Sequence, residues 1–238
     1  MNRLLKVYLL NIFKQKGFYI CLFINLLFTV LLPYVAELFV KSAAIPVADR
    51  IIQLVDVGLI AMIYITIFVC SDYTDGAAKN FISRGYTRRQ VLYAKFIASL
   101  IAVFSFFALN AIVTFAVFFD NGMKFDKSKI IILIGSLIAS VAAIGFYVIT
   151  SNTIEKLSTA ITVNVIVYSL VPAAFLLIMT ISKIDFDISN YWITGISGLI
   201  PKENAGITDL LKVIGITTGY LVLLFELSNY IIKKKEVK

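Results

Sequence analysis

The residues best suited to chemistry lie in one stretch, Asp72-Tyr73-Thr74-Asp75-Gly76-Ala77-Ala78-Lys79-Asn80-Phe81-Ile82-Ser83-Arg84-Gly85-Tyr86-Thr87-Arg88-Arg89-Gln90-Val91-Leu92-Tyr93-Ala94-Lys95, the most patterned and most cationic of the chain. The chemistry it offers is recognition. Asp75 can cap a short helix, Gly85 can end it in the left-handed conformation, and Thr87 with Gln90 spells a capping box that restarts a helix. Phe81 and Ile82, flanked by Lys79, Arg84, Arg88 and Arg89, suit an apolar knob with a basic rim entering a groove on a partner. Asp75, Lys79, Phe81, Ile82, Arg84 and Arg88 are therefore the candidate docking residues.

Bond-making chemistry is poorly provided for. The chain has no histidine, which removes the usual general base and metal ligand. Cys21 and Cys70 fall in or at the end of apolar runs, without metal-like spacing, and read as buried free thiols. No Gly-x-x-x-x-Gly-Lys-Ser/Thr occurs, so the chain cannot cradle ATP phosphates itself, and any ATP and Mg would sit on a partner. No catalytic residue and no metal site is expected.

The elements that must position the basic stretch belong in a bilayer. A chain that is 60% hydrophobic and 15% charged, with a mean hydropathy of +0.93, is an all-α polytopic membrane protein rather than a soluble domain. Windows of about 20 apolar residues give six transmembrane helices, at 18–40, 51–71, 91–119, 130–150, 158–182 and 209–232, in one membrane domain over 1–238. The segment 72–90 then links spans 2 and 3.

With both termini cytoplasmic, 14 of the 22 lysines and arginines lie inside, among them Arg3, Lys6, Lys14, Lys16, Lys79, Arg84, Arg88, Arg89, Lys95 and Lys156, as the positive-inside rule asks. That rule alone would also account for a basic loop at 72–90. Acids run the other way, with Glu37, Asp49, Asp56, Asp120, Asp126, Asp185, Asp187, Glu203 and Asp209 at the outer side. The formal charge of +8 is explained by headgroups and orientation, so nucleic acid is not an expected partner.

Residues 1–16 put Leu4, Leu5, Tyr8, Leu9, Ile12 and Phe13 on one helical face and Arg3, Lys6 and Lys14 on the other, an interfacial helix lying on the inner leaflet. A charged start before an apolar run also describes a secretory signal with small residues at Ser42-Ala43-Ala44, although the run is longer than a signal core. At 183–208 an apolar extracellular stretch broken by Gly195, Gly198 and Pro201 reads either as a re-entrant segment or as an interfacial loop anchored by Trp192.

Charge is sparse within the spans. Glu37 and Asp56 lie toward the outside and Glu226 toward the inside, where Lys95 or Arg89 is its expected partner. Asn25, Asn110, Asn164, Ser105, Thr114, Ser140 and Thr217 read first as bonds between helices. Glu37, Asp56, Asn110 and Glu226 are the candidate substrate path. Gly215-x-x-x-Gly219 and the series Gly135, Ser136, Ala139, Ser140, Ala143 allow close helix approach, within the chain or across a dimer. Pro33 and Pro172 are expected to kink their helices.

Through Asp72-Tyr73, Gly76, Lys79-Asn80, Ile82-Ser83, Gly85, Thr87-Arg88, Val91, Tyr93 and Lys95, the basic stretch resembles the cytoplasmic coupling segment of type-2 ABC exporter permeases, a class that includes bacterial bacteriocin and toxin-peptide exporters. About a tenth of the sequence carries the resemblance; elsewhere only length, span count and layout agree. It implies a bacterial cell-membrane subunit with an elbow helix before span 1 and re-entrant helices before span 6. A cytoplasmic ABC ATPase and a second permease chain would be its partners, and peptides its cargo. The alternative is a non-transporting immunity or sensor subunit whose basic loop docks a cytoplasmic partner.

Overall fold

A computed structural model describes residues 2–31, 34–35, 47–53, 55, 58–118, 124–182, 188–201 and 204–236; among them every regular element is helical. Helix α1 (Asn2–Lys14) carries Leu4, Tyr8 and Ile12 at a spacing of four, and all three are buried while Arg3, Lys6 and Lys14 are exposed. This corrects the expectation that the apolar face lies on lipid. It is sealed against the chain itself, chiefly against the helix Arg88–Phe118, and Tyr8 finds a polar partner in Asp72, at the end of the helix Leu59–Thr74, that lipid would not offer. Phe13 is the exception, 44% exposed and edge-on to Phe18.

Gln15 breaks the helix in an extended conformation, and α1 meets α2 (Lys16–Leu26) at 62°. A π turn (Leu27–Leu31) continues α2. Beyond it come α3 (Val47–Gln53) and α4 (Leu59–Thr74). The expected unbroken span over 51–71 is thus interrupted: Gly58 is extended (φ −68°, ψ 170°) and opens α4 from outside the helix. The sequence there, Gln53 to Gly58, also carries Asp56, and glycine lacks the side chain that would favour helix.

Four helices follow the short α5 (Ala77–Ser83). They are α6 (Arg88–Phe118), α7 (Lys127–Ile154), the run α8 (Leu157–Val165), π turn (Ile166–Leu170) and α9 (Val171–Ser182), and α10 (Ile207–Glu236). Arg88–Phe118, Lys127–Ile154, Leu157–Ser182 and Ile207–Ile232 are long and apolar enough to cross a membrane; the count reaches six if each of the bent pairs Arg3–Lys14 with Lys16–Val30 and Leu59–Thr74 with Ala77–Ser83 is one span. The molecule is accordingly a multi-pass membrane protein by length and composition of its helices. Pro172 is the second residue of α9, just past the π turn where the helical ladder is rearranged to i→i+5 bonding. Pro33 lies outside the described residues.

The centre of the bundle is α7, which packs against α4, α6, α8 and α10. Its small residues allow close packing: a Cβ on Gly135 would collide with the Ile200 side chain of the segment before α10, and one on Gly145 would press on Leu221 of α10. Of the two small-residue series, this one serves packing within the chain. Gly215 and Gly219 on α10 have nothing within 4 Å of where a Cβ would stand.

Residues 188–201 return the chain from α9 to α10 through two 3₁₀ turns (Ile188–Tyr191 and Ile196–Leu199), with Ile193, Ile196 and Ile200 buried against Ile131, Ala139, Ala142 and Val213. Two hydrogen bonds and one packing contact measure how deep this segment reaches. The Trp192 indole donates to Val167 O at 3.1 Å, ten residues into the α8–α9 run. The Tyr220 hydroxyl, thirteen residues into α10, donates to Tyr191 O at 2.7 Å, and Ile193 packs near Ala139, twelve residues into α7. At about 1.5 Å per residue, each lies roughly 15–20 Å along its helix. The described part of the segment therefore folds back among these helices to about their mid-length.

Candidate functional site

The basic stretch is built on the end of α4. Asp75 is the C-cap residue of α4, its N–H bonded to Ser71 O at 2.9 Å, and Gly76 at φ +69° turns the chain into α5. The expectation that the Asp75 carboxylate caps α5 is corrected: no side chain caps that helix, because Gly76 occupies the N-cap position and the left-handed turn leaves Asp75 behind it. Gly85 at φ +89° closes α5 as expected. The capping box is present in full, with Thr87 N donating to Gln90 Oε1 at 3.0 Å and Gln90 N to Thr87 Oγ1 at 3.2 Å.

With seven residues, α5 has two distinct sides. Ala78 is buried and Phe81 turns inward, its ring 5.5 Å from Tyr8 and 6.4 Å from Tyr86. Phe81 is thus a half-buried anchor of α5 on α1 and not a free knob, since one helical turn cannot present Phe81 and Ile82 on the same side. The outward side carries Lys79, Asn80, Ile82, Ser83 and Arg84, all exposed. Ile82 is 40% exposed and, with the half-buried Arg88, lines a small cleft of about 40 Å³ shared with Tyr73, Asn152, Glu155 and Ile232.

Beneath α5 lies a polar node that holds the ends of four helices. Tyr8 Oη on α1 donates to Asp72 Oδ2 at 2.6 Å. Lys95 Nζ on α6, fully buried, is 3.2 Å from the same Asp72 oxygen and donates to Val69 O at 3.1 Å. It also stands 4.4 Å from the centre of the Tyr73 ring, whose hydroxyl donates to Asn152 Oδ1 on α7 at 2.7 Å. Burial first, then the neighbouring Asp72 charge, push the Tyr8 phenol well above its ordinary pKa, so it remains a donor. A buried cation with a carboxylate, a carbonyl and an aromatic face around it is fully engaged. Glu226 was the expected partner of Lys95; Asp72 takes that place, and Glu226 stays on the exposed side of α10.

A second polar cluster joins α4, α7 and α8. Asn164 Nδ2 donates to Thr66 Oγ1 at 2.9 Å and to Ser151 Oγ at 3.2 Å, while Thr150 Oγ1 donates to Asn164 Oδ1 at 2.6 Å. Asn164 therefore bridges helices as expected. Ser105 and Ser140 instead bond back to carbonyls of their own helices. Of the candidate substrate path, Asn110 is 2% exposed in the packed side of α6 and Glu226 is exposed on α10, so the two are not brought together. Glu37 and Asp56 lie outside the described residues.

Several site features had little sequence signal. Tyr8, Asp72 and Lys95 are joined across 64 and 23 positions, and only the presence of Asp72 and Lys95 within about one turn of the ends of apolar runs hinted at a pair. Glu155, in the left-handed region at φ 63°, turns α7 into α8 where glycine would be the usual choice. No family model matches the chain, and no curated protein or solved structure is similar to it.

Proposed function

We propose that this chain is the membrane-spanning subunit of an ATP-driven exporter, working with a separate cytoplasmic ATPase that binds ATP and Mg. The observation that carries the reading is α5, a short helix between two long apolar ones, with Lys79, Ile82 and Arg84 outward and Phe81 locked inward. A helix so mounted transmits displacement, since it is tied through Phe81 to α1 and through a two-residue turn to α4, whose end is held by Lys95 on α6. Closure of the ATPase would push α5, and the helices it is tied to would tilt as nearly rigid bodies. Residues 72–90 and both termini face the cytoplasm in this reading, on the charge asymmetry of the chain.

A second permease chain completes the assembly, and α10 offers the face for it. Gly215, Gly219 and Glu226 share one side of α10, the glycines open and the glutamate exposed. A carboxylate on a crossing helix is costly against lipid and is better placed at a protein interface or a wet path. The cargo that fits an interior with so little charge is an amphipathic or hydrophobic peptide.

Affinity purification of the intact complex from native membranes tests the reading. A P-loop ATPase recovered with the wild-type chain, and lost with Ile82→Asp, is expected. Recovery of a non-ATPase partner alone would support the immunity or sensor alternative instead.

A further inference from the structure

Helix α1 has a second side, which neither the polar node nor the docking helix uses. Opposite the buried Leu4, Tyr8 and Ile12 stand Arg3, Lys6 and Lys14 together with Val7, Leu10 and Phe13, all six exposed and the apolar three by 39–48%. At about 100° per residue these six fall within roughly a third of the helix circumference, so cations and apolar side chains share one surface instead of dividing it. Lys16 adds a fourth exposed cation where α1 turns into α2. Residues 1–36 contain these four lysine and arginine side chains and no acid.

The bundle fixes both the height and the direction of this surface. Helix α6, 31 residues long, measures about 46 Å, enough to cross a bilayer with both of its headgroup layers. Lys95, which shares Asp72 with Tyr8, is seven residues past the start of α6, about 10 Å along the axis, so α1 lies near the boundary between headgroups and hydrocarbon. Because the buried side of α1 packs on α6, the opposite side looks outward from the bundle, along the membrane, and not past the bundle's end. Its rotation is locked at the corner: Phe18 packs on Tyr64 at 5.5 Å and on Phe106 at 5.3 Å, Phe13 is edge-on to Phe18, and the Tyr19 hydroxyl donates to Phe13 O at 2.9 Å. On α2 the exposed surface continues through Tyr19, Ile20, Phe23 and Ile24, the side that a crossing helix presents to lipid.

We propose that the outward side of α1 binds anionic phospholipids of the leaflet it lies in, its cations pairing with headgroup phosphates while Val7, Leu10 and Phe13 enter the acyl chains. The mixture of side chains selects this partner. An acidic protein segment or a nucleic acid would answer the charges and leave three apolar side chains in water, whereas zwitterionic lipid would take the apolar groups without a net attraction for the cations. An anionic leaflet answers both. Each lysine or arginine near such a surface strengthens binding by about fivefold, and this surface holds four. The proposal needs only a chain that spans the membrane, so it stands or falls apart from the exporter reading.

The test uses the full chain in nanodiscs, with Cys21 and Cys70 replaced by serine, bimane attached at Leu10→Cys, and phosphatidylglycerol or phosphatidylcholine carrying the same doxyl-labelled acyl chain as quencher. Leu177→Cys, exposed on α9, is the reference position. At low salt the labelled phosphatidylglycerol should associate at position 10 about fivefold or more strongly than the phosphatidylcholine, and the two should quench alike at position 177. Salt at about 1 M, where the Debye length falls to about 3 Å, should bring the ratio at position 10 close to one without any further substitution. Arg3→Gln combined with Lys6→Gln, Lys14→Gln and Lys16→Gln should do the same at low salt, and since all four side chains are exposed the fold should be kept. Equal quenching by the two lipids at position 10 in the parent chain, or a preference that survives both the salt and the fourfold variant, would overturn the proposal. So would bimane at position 10 that neither lipid quenches, a result that would leave this side of α1 to water and a soluble partner.

Discussion

Tyr8 donates a 2.6 Å hydrogen bond to Asp72, joining the first helix to the end of α4 across 64 residues. The same carboxylate oxygen receives the buried Lys95 ammonium at 3.2 Å, so one atom holds three elements together. Removing Asp72 alone, as Asp72→Leu, leaves the buried Lys95 without its carboxylate, with only the Val69 carbonyl and the Tyr73 ring beside it, and should cost about 3–5 kcal/mol. Replacing both, as Asp72→Leu with Lys95→Met, should recover most of that loss. Tyr8→Phe should cost less, about 0.5–1.5 kcal/mol for one lost hydrogen bond, because Asp72 Oδ2 keeps Lys95. Thermal unfolding in detergent, run as a double-mutant cycle, measures all three; additive losses would show that the node is not coupled.

The segment 188–201 should be intolerant of Gly195→Ala. The new methyl would meet the Ser189 carbonyl, which is backbone and cannot swing aside, and overpacking of this kind costs about 1–3 kcal/mol. Gly198→Ala meets only the Asn190 side-chain oxygen and Gly215→Ala meets nothing within 4 Å, so both should be milder. A ranking of unfolding midpoints with Gly195→Ala lowest is expected.

Orientation is open to direct labelling. After Cys21 and Cys70 are replaced by serine, a cysteine at the exposed Ser83 should react with a membrane-impermeant maleimide only after lysis, and one at the exposed Asn204 in intact cells. Labelling of position 83 from outside would reverse the topology and remove the argument for an ATPase at α5.

The open face of α10 makes a further demand. In the same cysteine-free background, Gly219→Cys should form a disulfide between two copies on mild oxidation, because Gly219 has nothing within 4 Å of its Cβ position in the single chain. A cysteine at Thr114, buried at 2% exposure in α6, should not. Equal reactivity of the two positions, or none at 219, would argue against this face as the contact.

Much of the architecture was readable because long apolar runs leave few choices. The helices Arg88–Phe118, Lys127–Ile154 and Ile207–Ile232 begin within three residues of the expected spans, and the Thr87–Gln90 box and Gly85 behave as their local rules require. What stayed hidden depends on relations that hydropathy does not encode. The break at Gly58 lies in a stretch whose hydropathy stays high across Gln53 and Asp56, and the inward turn of Phe81 follows from Tyr8, distant in sequence. Lys95 drew Asp72 rather than Glu226 because both end their helices at the same level beside Tyr8, whereas Glu226 points away on α10.

The claim at the centre of this account is that the outward side of α5 docks an ATPase, and a photo-crosslinking amino acid placed at position 82 in native membranes tests it most directly. Position 82 should yield an adduct with a P-loop ATPase, and position 81 should instead crosslink within the chain, to α1 around Tyr8. An adduct at position 82 with lipid alone, or with a protein lacking a P-loop, would contradict the account.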